Sequence, residues 1–246
     1  MRDAIPIILP QWPAPANVCA VQTTRSGGFS SPPYAELNLA QHVGDQPEAV
    51  RRNRALLHTY LQLEQEPCWL EQTHSTRVVN LDQDTNRDAD AALTAMPGKV
   101  AAVMTADCLP VLLCATDGSE VAAAHAGWRG LANGILEQTV TTMCTPVHRI
   151  IVWLGPAIGP THFEVGEEVQ TAFVQDLAAS ASAFTPTRPG HYLANLYRLA
   201  RLRLNRLGID TIYGGNHCTY SDSSRFFSYR RDKICGRQAS LIYIKE

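Results

Sequence analysis

Three side chains stand out for the chemistry they could perform together: His74 in L-E-Q-T-H, Cys108 in T-A-D-C-L-P and His125 in H-A-G-W-R-G. Each lies where an apolar run ends. Cys108 falls between Val100–Met104 and Leu109–Leu113, and Val121–Ala124 leads directly into His125. His74 follows the short apolar segment Cys68–Trp69–Leu70. Reactive polar side chains at the ends of buried strands, beside backbone freed by glycine, stand where active sites are commonly built. Two imidazoles and one thiolate match the three-ligand set of a catalytic zinc, which keeps a fourth position for water or substrate. Zinc in such a site lowers the pKa of its bound water to about 7. The same residues also suit a cysteine nucleophile, with His125 as base and Asp107 or Gln72 orienting the imidazole. Separations of 34 and 17 residues do not choose between these readings, because only the fold can bring the three together.

Around this constellation, H-A-G-W-R-G reads as a strand-to-loop-to-helix turn that can present backbone N–H groups to an anion, with Arg129 as a fork for phosphate. Arg25 in T-T-R-S-G-G, Asn38 in L-N-L, and Arg230 and Arg231 in F-F-S-Y-R-R-D are further candidates for a phosphate or ribose pocket. For each of them, surface charge and turn hydrogen bonding is the competing reading. His42, His58, His148, His162, His191 and His217 belong to no comparable constellation. Arg201, Arg203 and Arg206 fall on a helical pattern and read as a solvated face.

The elements that must position these groups follow from pattern. Strands are expected at Val18–Thr24, Cys68–Leu70, Thr76–Leu81, Val100–Met104, Pro110–Cys114, Glu120–His125 and Arg149–Leu154. The turn Thr116-Asp117-Gly118-Ser119 marks a tight hairpin. Helices are expected after Pro47, from Arg129 to Cys144, over Gly166–Ala178 and over Tyr192–Leu207, the last stopped by Gly208. Asp82–Asp90 reads as an acidic loop. The tail supplies strands near Thr211–Tyr213, Phe226–Tyr229 and Ser240–Ile244. Hairpin connections without strict βαβ alternation predict an α+β (α/β mixed) fold: one domain over residues 1–246, a largely antiparallel mixed β core with helices packed outside.

Composition narrows the function. With 246 residues, 45% hydrophobic and 18% charged, the chain has the make-up of a globular enzyme. A net charge of −2 offers no basic field to gather nucleic acid. No apolar run approaches the roughly 20 residues that span a bilayer, and the proline-broken N-terminus lacks a secretory pattern, so a cytoplasmic location is expected. Seven cysteines without C-x-x-C pairs argue against a disulfide framework, a zinc finger or an iron–sulfur site.

The ordered motifs P-Q-W-P, T-T-R-S-G-G-F-S, L-N-L-A-x-H-V-G-D, W-L-E-Q-T-H, V-M-T-A-D-C-L-P-V-L, H-A-G-W-R-G, W-L-G-P-A-I-G-P, F-E-V-G and F-F-S-Y-R-R-D run almost end to end. Together they resemble the bacterial laccase-domain family, also called the multicopper polyphenol oxidase-like or peptidoglycan-editing-factor family. The resemblance implies a fold related to the catalytic domains of cytotoxic necrotizing factors and a zinc site formed by His74, Cys108 and His125. Ser75 stands where the family commonly has glycine. The resemblance also implies phosphorolysis of purine nucleosides (adenosine, inosine, methylthioadenosine) together with adenosine deamination. Arg25, Arg129 or Arg230 would then hold phosphate, and Asp107 or Glu71 would shuttle a proton. Alternatives within the same resemblance are a cysteine amidase that edits a peptidoglycan precursor such as UDP-MurNAc-L-Ser, and a polyphenol oxidase. Eight histidines with no H-x-H pair weigh against multicopper chemistry, leaving copper only the same lone site. A zinc-stabilised accessory protein is the non-enzymatic alternative.

Overall fold

The computed structural model describes residues 5–245; Met1–Ala4 of the N-terminal stretch and Glu246 lie outside the described residues. The first half carries strands β1 (Ile7–Ile8), β2 (Val18–Thr23), β3 (Cys68–Trp69), β4 (Val78–Asn80), β5 (Ala91–Thr94), β6 (Val100–Thr105), β7 (Leu109–Ala115) and β8 (Val121–Ala126). The second half adds β9 (Ile150–Leu154), β10 (Glu164–Gly166), β11 (Phe184–Arg188), β12 (His191–Ala194), β13 (Ile212–Gly214) and β14 (Gln238–Ile244). Helices are α1 (Pro47–Tyr60), α2 (Trp128–Asn133), α3 (Ile135–Thr142), α4 (Glu167–Asp176), α5 (Leu196–Arg206) and α6 (Tyr229–Asp232).

Two sheets dominate. One has the order β1-β2-β14-β6-β3 and the other β13-β9-β7-β8-β5-β4, with a small β10-β12-β11 sheet beside them. Pairing is antiparallel except for β3 with β6, β4 with β5 and β13 with β9. Period-two alternation sets the layers. In β7, Val111 and Leu113 join Leu136, Val140, Leu199 and Leu204 of α3 and α5, whereas Leu112 and Cys114 face Ala101, Val103 and Ile242 of the five-stranded sheet. That sheet's other side, with Val100, Ala102, Met104 and Leu241, is covered by Leu57 of α1 and by Leu37 and Leu39. The mixed, largely antiparallel α/β fold with helices outside is therefore what the sequence predicts, arranged as helix, sheet, sheet, helix. No helix among the described residues is long and apolar enough to cross a membrane.

Several elements differ from expectation for identifiable reasons. The helix expected over Arg129–Cys144 is two helices, divided at Gly134, whose φ of +97° cannot continue an α-helix. Tyr192–Ala194 belongs to β12, and the following helix starts only after Asn195, whose side chain accepts the Arg198 N–H. No strand forms over Phe226–Tyr229: the Phe227 N–H goes to the Gln238 side chain rather than to a ladder, and α6 follows. The solvated-face reading holds for the exposed Arg206 but not for Arg201 and Arg203. Arg203 is 2% exposed and joins Glu137 of α3 to Asp176 of α4, while Arg201 donates to the carbonyls of Ile212 and Gly214.

Candidate metal centre

The passage from one sheet to the other places Cys108. β6 ends at Thr105, the chain turns through Ala106 and Asp107, and β7 begins at Leu109 in the opposite sheet. Asp107 takes a left-handed φ of +90°, and its carboxylate fixes the turn by accepting from the Thr219 hydroxyl and the Arg230 backbone N–H, each at 2.6 Å. Asp107 is thus committed to the turn. His125 lies on β8 opposite Pro110 of β7, two residues beyond Cys108, and alternation turns it to the same side as Ala123 between the sheets. His74 arrives on the loop after β3. Gln72 ties that loop to β6 by exchanging two 2.8 Å hydrogen bonds with the backbone of Met104.

His74, Cys108 and His125 therefore converge. Their ligand atoms lie within 4.8 Å of one another, the one such three-residue group among the described residues. His74 Nε2 is 3.7 Å from Cys108 Sγ, close to the roughly 3.5 Å expected between nitrogen and sulfur donors sharing a tetrahedral zinc. The imidazoles meet edge to face, centroids 4.8 Å apart. A donor set of two nitrogens and one sulfur suits zinc and leaves a coordination position free. Closing the widest pair around one ion requires a shift of about an ångström.

The carboxylate beneath this group comes from Asp90, which is fully buried. Its Oδ1 accepts from His125 Nδ1 at 2.7 Å and from the His74 N–H at 3.0 Å. Its Oδ2 accepts from the N–H groups of Thr73 and Ser75 and from the Ser75 hydroxyl, at 3.2, 2.6 and 2.7 Å. His74 itself is held at a φ of +62°. Burial opposes the charge on Asp90, but the His125 and Ser75 hydrogen bonds outweigh it and hold the carboxyl down at about 2. Burial likewise opposes a thiolate at Cys108, yet His125 and His74 bring the thiol down to about 6. Against its own burial, His125 is raised to about 9 by the Cys108 thiolate and Asp90. The thiolate form, which metals and electrophiles both require, is favoured at neutral pH.

A cavity of about 410 Å³ opens over the group, lined also by His42, Gln72, Trp128, Arg129, Tyr229 and Arg237. Arg129, foreseen from the sequence, is exposed, lies over the Trp128 ring at 4.4 Å and makes no hydrogen bond or ion pair among the described residues. Arg25 and Arg230, the other two sequence-predicted phosphate ligands, do not line the cavity. Arg25 donates to the carbonyls of Ala35 and Ser223, and Arg230 to that of Glu164. Glu71 is also absent from the lining, so neither expected proton shuttle reaches it. Arg237, His42 and Asp90 were missed from sequence. Burial, then Arg237 and Arg54, lower the His42 pKa and keep that ring neutral near pH 7.

A group of three potential ligands at the floor of a cavity, carried between two sheets, could hold one metal ion within reach of a small molecule. The chain belongs to the family described as multi-copper polyphenol oxidoreductase laccase, whose pattern it matches over residues 19–245. It is 52% identical over 240 residues to the purine nucleoside phosphorylase of Pseudomonas aeruginosa, covering 97% of this chain and 98% of that one. It is 50% identical to purine nucleoside phosphorylase YfiH of Escherichia coli, with the same coverage. Among solved structures, a Neisseria meningitidis protein superposes with a TM-score of 0.94 at 49% identity, covering 98% of this chain and 99% of that one.

Proposed function

We propose that this chain is a zinc-dependent purine nucleoside phosphorylase acting on adenosine, inosine and methylthioadenosine, with adenosine deamination as a second activity, working in the cytoplasm. The observation that carries this reading is the His74–Cys108–His125 group facing a cavity with aromatic rings and guanidinium groups on its walls. Relatives about half identical over nearly the whole chain are named for that phosphorylase activity. The volume of about 410 Å³ lies in the range of small-molecule pockets. One three-donor group among the described residues favours one ion over a copper cluster.

In phosphorolysis, a phosphate oxygen bonds to the ribose C1′ as the C1′–N9 bond breaks. The bonding pair leaves with the purine, and the proton of the hydrogen phosphate ends on the base. Arg129, whose guanidinium has no hydrogen-bond or ion-pair partner among the described residues, offers phosphate a two-pronged donor, and Arg237 adds a second positive charge. Trp128 and Tyr229 provide ring faces for the purine. Neutral His42 is equipped to accept or donate one hydrogen bond. Zinc held by the three side chains supplies a Lewis acid with one open position.

The lowered Cys108 thiol favours a second reading, an editing amidase in which the thiolate adds to an amide carbonyl, the amine leaves with a proton from a histidine, and water then cleaves the thioester to free the acid and the thiol. Chromatography of adenosine, inosine and methylthioadenosine reactions separates the two. The phosphorylase reading expects free base and a ribose 1-phosphate (its 5′-methylthio form from methylthioadenosine) only when phosphate is added, and inosine from adenosine without it. Chelation should stop turnover and zinc restore it. No base release from any of the three overturns it, and turnover that survives chelation but not thiol alkylation transfers the site to the nucleophile.

A further inference from the structure

We infer that Asp90 is the positioning residue of this site: one buried carboxylate that sets the orientation of both histidines toward a shared ion. This rests on the reading that His74, Cys108 and His125 bind zinc. The bond to His125 Nδ1 keeps a proton on that nitrogen and makes Nε2 the ring atom that gives up its proton to serve as ligand. Three consecutive backbone N–H groups, from Thr73, His74 and Ser75, close on the same carboxylate and impose the left-handed bend that presents the His74 ring. The His125 backbone N–H also donates to the Asp90 carbonyl at 2.7 Å, so side chain and main chain of one residue hold the strand and the loop together. Ser75 adds a hydroxyl donor to Oδ2, filling the last of five donor positions around the two oxygens.

An amide cannot replace this carboxylate. In Asp90→Asn one oxygen becomes an NH₂. Turned toward His125, it forces the other tautomer and puts a proton on Nε2; turned toward the loop, it opposes the N–H groups of Thr73 and Ser75. Either orientation removes one histidine from the ion.

The test is zinc affinity, measured by chelator competition on the purified full chain. Wild type should bind about one zinc per chain, Asp90→Asn should bind about 10- to 100-fold more weakly, and Ser75→Ala about fivefold more weakly. Nitrogen-15 spectra of the histidine rings in wild type should show Nδ1–H on His125, with Nε2 shifting on zinc addition, a readout that needs no variant to fold. Wild-type affinity in folded Asp90→Asn, or an unprotonated His125 Nδ1, overturns the inference. A wild-type chain that takes up no zinc fails earlier, at the ligand reading.

Discussion

Gly127 puts the proposed metal centre under the sharpest test. Its φ of −60° and ψ of 156° are open to any residue, so alanine there brings no backbone strain. Its Cβ, however, would stand 2.5 Å from His74 Cδ2 and 3.0 Å from both His74 Nε2 and Cys108 Sγ. Ordinary carbon contacts begin at about 3.5 Å, so the His74 ring must retreat by about 1 Å. Zinc–ligand distances tolerate about 0.2 Å, and the retreat removes one of three donors. Misplacement of this size costs about 100-fold in turnover, while the loss of a glycine N-cap costs the fold less than about 1 kcal/mol. Gly127→Ala should therefore melt close to wild type, hold zinc weakly under chelator competition and lose nearly all phosphorolysis. Wild-type zinc affinity in that variant would refute the placement of the ion.

Arg129→Ala should raise the KM for phosphate about tenfold, the lower end for a charge-assisted hydrogen bond at an exposed position, and leave the nucleoside KM unchanged. Initial-rate kinetics with each substrate varied in turn check this, and an unchanged phosphate KM removes Arg129 from the phosphate site. Arg203→Ala should destabilise by about 3 kcal/mol, because Glu137 keeps Arg206 as a partner but loses its buried one. That corresponds to a fall in Tm of about 6–12 °C by calorimetry, and a fall under a degree would show the network to be neutral.

The three side chains that converge were legible because each sits where a strand pattern stops against glycine or a turn. The layers were legible because β6, β7 and β8 are long apolar runs with hairpin punctuation. Asp90 escaped notice as the last of the acidic residues from Asp82 onward, a run that looks solvated; nothing local shows that its side chain points inward beneath His125. Arg203 escaped for a similar reason, since its partner Glu137 is 66 residues away and a basic stripe on a helix ordinarily faces water. Arg25 and Arg230 were over-read: arginines in glycine-rich or aromatic turns can satisfy backbone carbonyls as readily as they bind phosphate, and here they do so. The small β10-β12-β11 sheet was missed because half-exposed segments such as Phe184–Arg188 carry little apolar alternation.

The donors reach the centre from a loop hung on one sheet, from the turn that passes between the sheets, and from a strand of the other. An ion gripped by all three is a rivet as well as a reagent, fastening chain segments 34 and 17 residues apart at the mouth of the sandwich. Above its dissociation constant, each tenfold rise in free metal would then deepen the folded basin by about 1.4 kcal/mol, tying the endurance of the whole molecule to the supply of its ion.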